Sequence, residues 1–219
     1  MKISVIVTAY NYADFLPACL DSLLNQTLDR SWFEVIVVDD NSADHTQASL
    51  SRYRQAPDFL VIHNEQNLGV AGAANQGIAV ARGQYIVRVD ADDYVSEHFL
   101  QELVTPLEQN QSAFACACDY TLVDLDNRPL ETKSARNDPI ACGVMYDKQR
   151  FMALGAYNDQ FRTYEHQELI LRMAGENVLY LSSALYYYRR HSQNQSNPSS
   201  WRAAYKARLD ALQSASSLD

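Results

Sequence analysis

Along the first 90 residues, short continuous apolar runs alternate with stretches of helical spacing. Residues 3–8 (ISVIVT) are β-branched with no internal turn residue, the pattern of a strand buried on both faces of a parallel sheet. Leu16, Leu20, Leu23 and Leu24 then recur on one helical face, and Pro17 is tolerable because it falls in the first turn. Residues 33–38 predict a second strand, 44–54 a helix capped by Asn41 and Ser42, and 59–62 a third strand. Val70, Ala74, Ile78 and Ala81 mark another helix, closed by Gly83, before a fourth strand over 84–89 that runs into Asp90-Ala91-Asp92-Asp93. Strand-helix alternation of this kind predicts a doubly wound, mostly parallel α/β sheet.

The second half is less regular. Strand-like pieces lie near residues 113–119, 140–145 and 178–188, around a helix from about 165 to 174. A stretch rich in Ser, Asn and Gln over 192–200 resembles a linker, and Trp201, Tyr205, Leu209 and Leu212 then form a helical stripe. The expected organisation is one domain over 1–198, in halves 1–95 and 96–198, followed by an amphipathic helix over 199–219. That helix can pack on the domain, pair two subunits, or rest on a membrane through Arg202, Lys206 and Arg208.

Composition narrows the function classes. With 219 residues and 47% hydrophobic content the chain buries one sizeable core. A formal net charge of -9 leaves no basic surplus to release counterions from phosphates, which excludes non-specific nucleic-acid binding. Met1-Lys2 leads directly into residues 3–8 without the features of a secretory leader, and no segment approaches the roughly 20 apolar residues that cross a bilayer. A cytoplasmic chain is expected, free or peripheral at the inner face of a membrane. The four cysteines suit a reducing compartment; Cys116 and Cys118 share a strand face, but no second pair at zinc spacing follows, so burial is expected. The sequons at Asn25 and Asn194 carry no weight without a secretory route.

In open α/β sheets ligands gather at the carboxyl ends of strands. Three polar groups fall there: Thr8 to Asn11, Asp39-Asp40-Asn41, and Asp90 to Asp93. Asp90 and Asp92 can both reach a divalent cation, or one can bind it while the other holds a sugar or ribose hydroxyl. Hard oxygen ligands suit magnesium or manganese, and the rival reading is a solvated acidic turn. Asp39 and Asp40 can accept hydrogen bonds from a nucleobase or ribose, with helix capping as the alternative. Tyr10 offers a ring on which a base can stack, or is a half-buried aromatic at a strand end.

Three segments in fixed order, ISVIVTAYNYADFLPACLDSLLNQT, VIVVDDNSADHT and NEQNLGVAGAANQGIAVARGQYIVRVDADDYV, cover residues 1 to about 95. They resemble a family 2 glycosyltransferase of the GT-A fold. The resemblance implies a nucleotide-sugar-binding half at 1–95 and an acceptor-side half at 96–198. It further implies inverting transfer of a sugar from a UDP, GDP or dTDP donor to a hydroxyl of a glycan or lipid-linked saccharide. Asp90 and Asp92 would form the Asp-x-Asp motif for Mn2+ or Mg2+, with Asp92 the stronger ligand. Thr8, Tyr10 and Asp40 would hold the base, with Asp39 close by.

In the second half, YEHQELILR at 164–172 is similar to the family's Glu-Asp motif, in which the Asp is the usual catalytic base; here His166 takes that place. A histidine titrating near neutrality can take the acceptor's proton, and Glu165 is the competing candidate. His166, Ile170 and Met173 also fall on one stripe, which suits a histidine packed on the core. Glu168 and Arg172 are spaced as a helix-surface ion pair. YYYRRH at 186–191 resembles the strand-to-loop segment that carries a His or Arg near the diphosphate: His191 is a candidate metal or phosphate contact, and Arg189 or Arg190 a candidate diphosphate contact. The alternative is a basic strand end facing water. His45, His63 and His98 show no partner spacing and are expected to be surface or structural. Two other classes fit parts of the pattern: a nucleotide-sugar-binding module without catalysis, motivated by the altered Glu-His pair, and a nucleotidyltransferase. No Gly-rich, Lys- or Arg-bearing loop follows the first strand to support the latter.

Overall fold

In the computed structural model, residues 1–192, 194 and 200–216 are described. The elements are, in chain order, β1 (Ile3–Ala9), α1 (Leu16–Leu24), β2 (Phe33–Asp39), α2 (Thr46–Leu50), β3 (Phe59–His63), α3 (Gly69–Val80), β4 (Tyr85–Asp90), β5 (Tyr94–Val95), α4 (Phe99–Gln109), β6 (Ala115–Val123), β7 (Pro129–Lys133), β8 (Val144–Asp147), α5 (Lys148–Ala153), α6 (Glu165–Arg172), β9 (Val178–Arg189) and α7 (Ser200–Ser216).

One sheet runs β3-β2-β1-β4-β8-β6-β9-β5, with β7 beside β6. The first four strands in that order are parallel, as expected. Beyond β4 the sheet is mixed: β8 is antiparallel to β4 and β6, β9 is parallel to β6, and β5 is antiparallel to β9. The continuous apolar runs are explained by double burial. Ile3, Val5 and Val7 of β1 join a core with Leu16, Leu20 and Leu23 of α1 and Leu103 of α4, while Ile6 faces a second core with Ala74 and Ile78 of α3 and Leu169 of α6. All four cysteines are free and buried, as expected.

Several boundaries differ from those expected. The helix expected over 44–54 is the short α2 followed by a 3-10 turn over Ser51–Tyr53. Its cap is not Asn41 or Ser42; Asp44 Oδ1 accepts from Thr46 N at 3.0 Å, and Asn41 occupies a left-handed turn. Gly83 does not close α3, which ends on extended Ala81. A Cβ at position 83 would sit 2.6 Å from the backbone of Ile3 and Ser4, so glycine is required by close approach of two chains. Helix α4 was not anticipated despite its buried stripe of Phe99, Leu100, Leu103, Val104 and Leu107, because Pro106 interrupts the pattern. The strand expected over 140–145 begins at Val144, after Gly143 in a left-handed conformation.

Of the C-terminal stripe, Leu209 is buried and Tyr205 meets the Phe161 ring at 6.1 Å, so α7 packs on the domain. The side chains of Trp201 and Arg202, and the residues 193, 195–199 and 217–219, lie outside the described part. Among the described residues no helix is long and apolar enough to cross a membrane.

Candidate active site

Parallel register sets Thr8 opposite Asp90 and Ala9 opposite Asp39, so the three polar strand ends converge. They open onto a cavity of about 550 Å³. Thr8, Tyr10, Asp40, Asp90 and Asp92 line it from the strand ends, with Arg162 beside them on Asn67, and Glu165 and His166 line it from the start of α6.

On the first wall, Tyr10 is 40% exposed, a ring open to a flat ligand. Asp40 is buried, and its carboxylate accepts from Asn64 Nδ2 at 2.8 Å, Leu68 N at 2.9 Å and Gly69 N at 2.8 Å. It suspends the turn that begins α3, so most of its acceptor capacity is used within the fold. Asp39 is turned inward: Ser42 N donates to it at 3.0 Å, Gln47 Nε2 donates to it, and His63 Nδ1 lies at 3.1 Å. The expectation that Asp39 faces the base gives way to an internal brace, and His63 has the acidic partner its sequence spacing did not show.

The acidic turn is divided by burial. Asp90 Oδ1 accepts from Thr8 Oγ1 at 3.3 Å and lies 3.1 Å from Arg88 Nε, an ion pair without hydrogen-bond alignment. Asp93 is enclosed, with Tyr186 donating to Oδ2 at 2.6 Å and Arg189 N to Oδ1 at 2.8 Å. Burial, then the neighbouring Asp92 and Asp90, pushes the Asp93 carboxyl well above the usual range. Asp92 Oδ2 lies 2.9 Å from His191 Nε2 and accepts from Asn194 Nδ2 at 3.2 Å. Phe15 stacks on the His191 ring at 4.6 Å between centroids and fixes its orientation.

No cluster of three or more His, Cys, Asp or Glu with metal-binding geometry occurs among the described residues. Asp92 Oδ2 and His191 Nε2, 2.9 Å apart and each in contact with Asn194 Nδ2, are the oxygen and nitrogen donors there that would hold a divalent cation.

Arg189 does not fit the role expected of it. It is buried, its Nη1 donates to Asp92 O at 2.9 Å and its Nη2 to Asn127 Oδ1 at 3.1 Å, and its guanidinium packs over the rings of Phe15 and Tyr94. It braces the acidic turn from behind. Arg190 is exposed, with its guanidinium 5.9 Å from the Tyr188 ring.

On the opposite wall, Glu165 is the first residue of α6 and follows Tyr164 in a left-handed conformation at φ +62°. Its Oε1 accepts from Arg88 Nη1 at 3.0 Å, with both residues buried. His166 is 4% exposed and its Nδ1 has no hydrogen-bond partner. Burial, with the Arg88 charge adding to it, lowers the imidazole from 6.5 to about 3. Glu168 and Arg172 pair as spaced, at 2.7 Å, but Glu168 is buried and Arg172 also donates to the carbonyls of Leu154 and Ala156, so the pair anchors α6 instead of decorating a surface.

Sequence reasoning missed Arg88 and Asn194. Arg88 had a visible signal, a lone cation inside an apolar strand destined for double burial. Asn194 lies beyond the motifs and acts through a loop contact that no spacing rule encodes.

A central sheet whose parallel strand ends present an acidic turn beside a helix-borne carboxylate places the ligand site of an α/β enzyme at that edge. The chain belongs to glycosyl transferase family 2, whose model matches residues 4–192. It is similar to the cholesterol galactosyltransferase of Borreliella burgdorferi, at 29% identity over 82% of this chain and 52% of that protein. It is also similar to the poly(ribitol-phosphate) beta-glucosyltransferase of Bacillus spizizenii, at 40% identity over 51% of this chain and 18% of that one. The chain thus spans about half or less of these relatives. Among solved structures, S. aureus TarS in complex with UDP-GlcNAc superposes with a TM-score of 0.79 at 22% identity, over 94% of this chain and 64% of that one. Mannosyltransferase PcManGT from Pyrobaculum calidifontis, in complex with GDP-Man and Mn2+, gives 0.73 at 20% identity, over 97% and 64%. These likenesses establish the GT-A fold.

Proposed function

We propose that the chain transfers a sugar from a nucleoside diphosphate donor, of the UDP, GDP or dTDP class, to a hydroxyl of a glycan or lipid-linked saccharide. Residues 1–95 supply most of the donor wall, completed by His191 and Asn194, and 96–198 supply the acceptor wall. The observation that carries this reading is the single cavity with Asp92, backed by His191, on one side and the Arg88-paired Glu165 on the other. Neighbours of the same fold in complex with UDP-GlcNAc and with GDP-Man and Mn2+ support the donor class and the metal.

In this reading the base stacks on Tyr10 near Thr8, and Asp92 with His191 holds Mn2+ or Mg2+ while Asp90 reaches the donor beside it. Such a cation, when bound, offsets the charge that develops on the departing diphosphate. The acceptor oxygen attacks the anomeric carbon from the face opposite the leaving group. The bond to the β-phosphate oxygen breaks and its electron pair leaves with the diphosphate, and the acceptor proton passes to Glu165, giving inversion. Glu165 is preferred to His166 on electrostatic grounds: a proton on the carboxylate cancels a charge, whereas one on His166 creates a second buried cation near Arg88.

The test is calorimetric binding of sugar nucleotides with Mn2+, followed by nucleoside diphosphate release. Asp92→Ala is expected to lower turnover by about 10²-fold or more. Full activity in that variant, or no binding of any nucleoside diphosphate, would refute the donor site.

A further inference from the structure

Up to its terminal Asp90, β4 is apolar except at Arg88, and the cost of burying a guanidinium there calls for a reason. Arg88 is 5% exposed, and β8 pairs with β4 only at residues 85–87, which leaves Arg88 at the open cavity end of the strand. Two nitrogens of the guanidinium meet different partners: Nη1 donates to Glu165 Oε1 at 3.0 Å, and Nε lies 3.1 Å from Asp90 Oδ1 in an ion pair without hydrogen-bond alignment. The Tyr157 ring lies 5.3 Å away on the same group. Stability alone is a poor explanation, because buried ion pairs are commonly matched or exceeded by apolar residues of similar volume.

We propose that Arg88 is a positioning residue for the transfer reaction, holding the Glu165 carboxylate at the acceptor hydroxyl while Asp90 fixes the guanidinium from the donor side. The proposal rests on the reading in which Glu165 takes the proton. Thr8 Oγ1, Asp90, Arg88 and Glu165 form a continuous series of contacts, so the acceptor-side carboxylate is placed relative to the acidic turn through one planar guanidinium. Tyr164 in its left-handed conformation and the Arg172 anchors fix the backbone of α6. They leave the Glu165 side chain free to rotate, and Arg88 removes that freedom. A lysine supplies a single point charge and cannot meet Glu165 and Asp90 from separate nitrogens of one planar group.

The experiment is a double-mutant cycle on the full chain with Arg88→Met, Glu165→Gln and the pair, reading donor Kd by calorimetry and kcat of nucleoside diphosphate release. Arg88→Met is expected to lower kcat by about 10²-fold and Glu165→Gln by about 10³-fold, with donor Kd changed by less than about threefold in each. The pair is expected to match Glu165→Gln within about threefold, because a residue acting through Glu165 has no effect once that carboxylate is gone. Arg88→Lys is expected to recover part of the loss. The pair also leaves no charge unpaired between positions 88 and 165, so it remains informative if Arg88→Met alone folds poorly. Multiplicative losses in the pair, or donor Kd weakened more than about tenfold by Arg88→Met with kcat preserved, overturn the proposal while leaving the transferase reading intact. Failure of the native chain to release diphosphate from any sugar nucleotide overturns that reading, and this proposal with it.

Discussion

The two walls of the cavity are positioned by different means. On the donor wall, adjacent parallel strands end together and their ladder sets Thr8 beside Asp90, so placement is a property of the backbone. The acceptor wall sits where the sheet turns mixed, and its key carboxylate is held by one guanidinium on a helix preceded by a left-handed residue. A wall set by backbone register tolerates loss of a side chain by losing that side chain's contact alone. A wall set by side-chain contacts loses its geometry as well.

The largest expected effect falls on the acceptor wall. Glu165→Gln should lower kcat by on the order of 10³-fold while donor binding is retained, and His166→Ala should cost less than about tenfold; a reversed order would return the base to His166. On the donor wall the largest effect is structural. Asp40→Ala removes the acceptor of three hydrogen bonds at the start of α3 and should cost about 3 kcal/mol, lowering Tm by roughly 6–12 °C, with Tm measured without ligand.

A smaller effect separates the walls by pH. The folded-state value of His166, about 3, lies below its ordinary 6.5. The unfolded chain therefore takes up this proton first, so the stability involved is complete above pH 6.5 and is lost as pH falls toward 3. Between pH 6.5 and 5 the native chain should lose about 2 kcal/mol relative to His166→Leu in denaturant unfolding. The smallest effect is expected at Tyr10, where Ala should weaken donor Kd roughly fivefold, about 1 kcal/mol of stacking. A loss above about a hundredfold would show that the ring does more than stack.

The same contrast explains what the sequence disclosed. Buried parallel strands must be apolar throughout and their ends must carry the ligand groups, so β1, β2, β4 and the convergence at Asp90–Asp92 were legible from local pattern alone. Asp39 and Asp40 were legible as strand-end acids but not as braces, because Asn64, Leu68 and His63 reach them from about 24 residues or more away. Arg189 was misassigned for a related reason: its partners Asp92 and Asn127 are distant in sequence, and a basic residue at a strand end reads the same whether it faces phosphate or is buried. In the mixed part β6 and β9 were legible as strands near 113–119 and 178–188, but β5, β7 and α5 were not, and α4 escaped because a proline breaks its period.

Asp93 carries a consequence for recombination between relatives. Its carboxyl is gripped by Tyr186 and the backbone of Arg189, more than 90 positions downstream. The acidic turn and the end of β9 therefore form one inherited unit despite their separation in the chain. A chimera with its junction between residues 95 and 185 would join a turn from one parent to a clasp from another. Exchanges aimed at a new acceptor preference should transplant the interior of that interval and keep both its ends from the same parent.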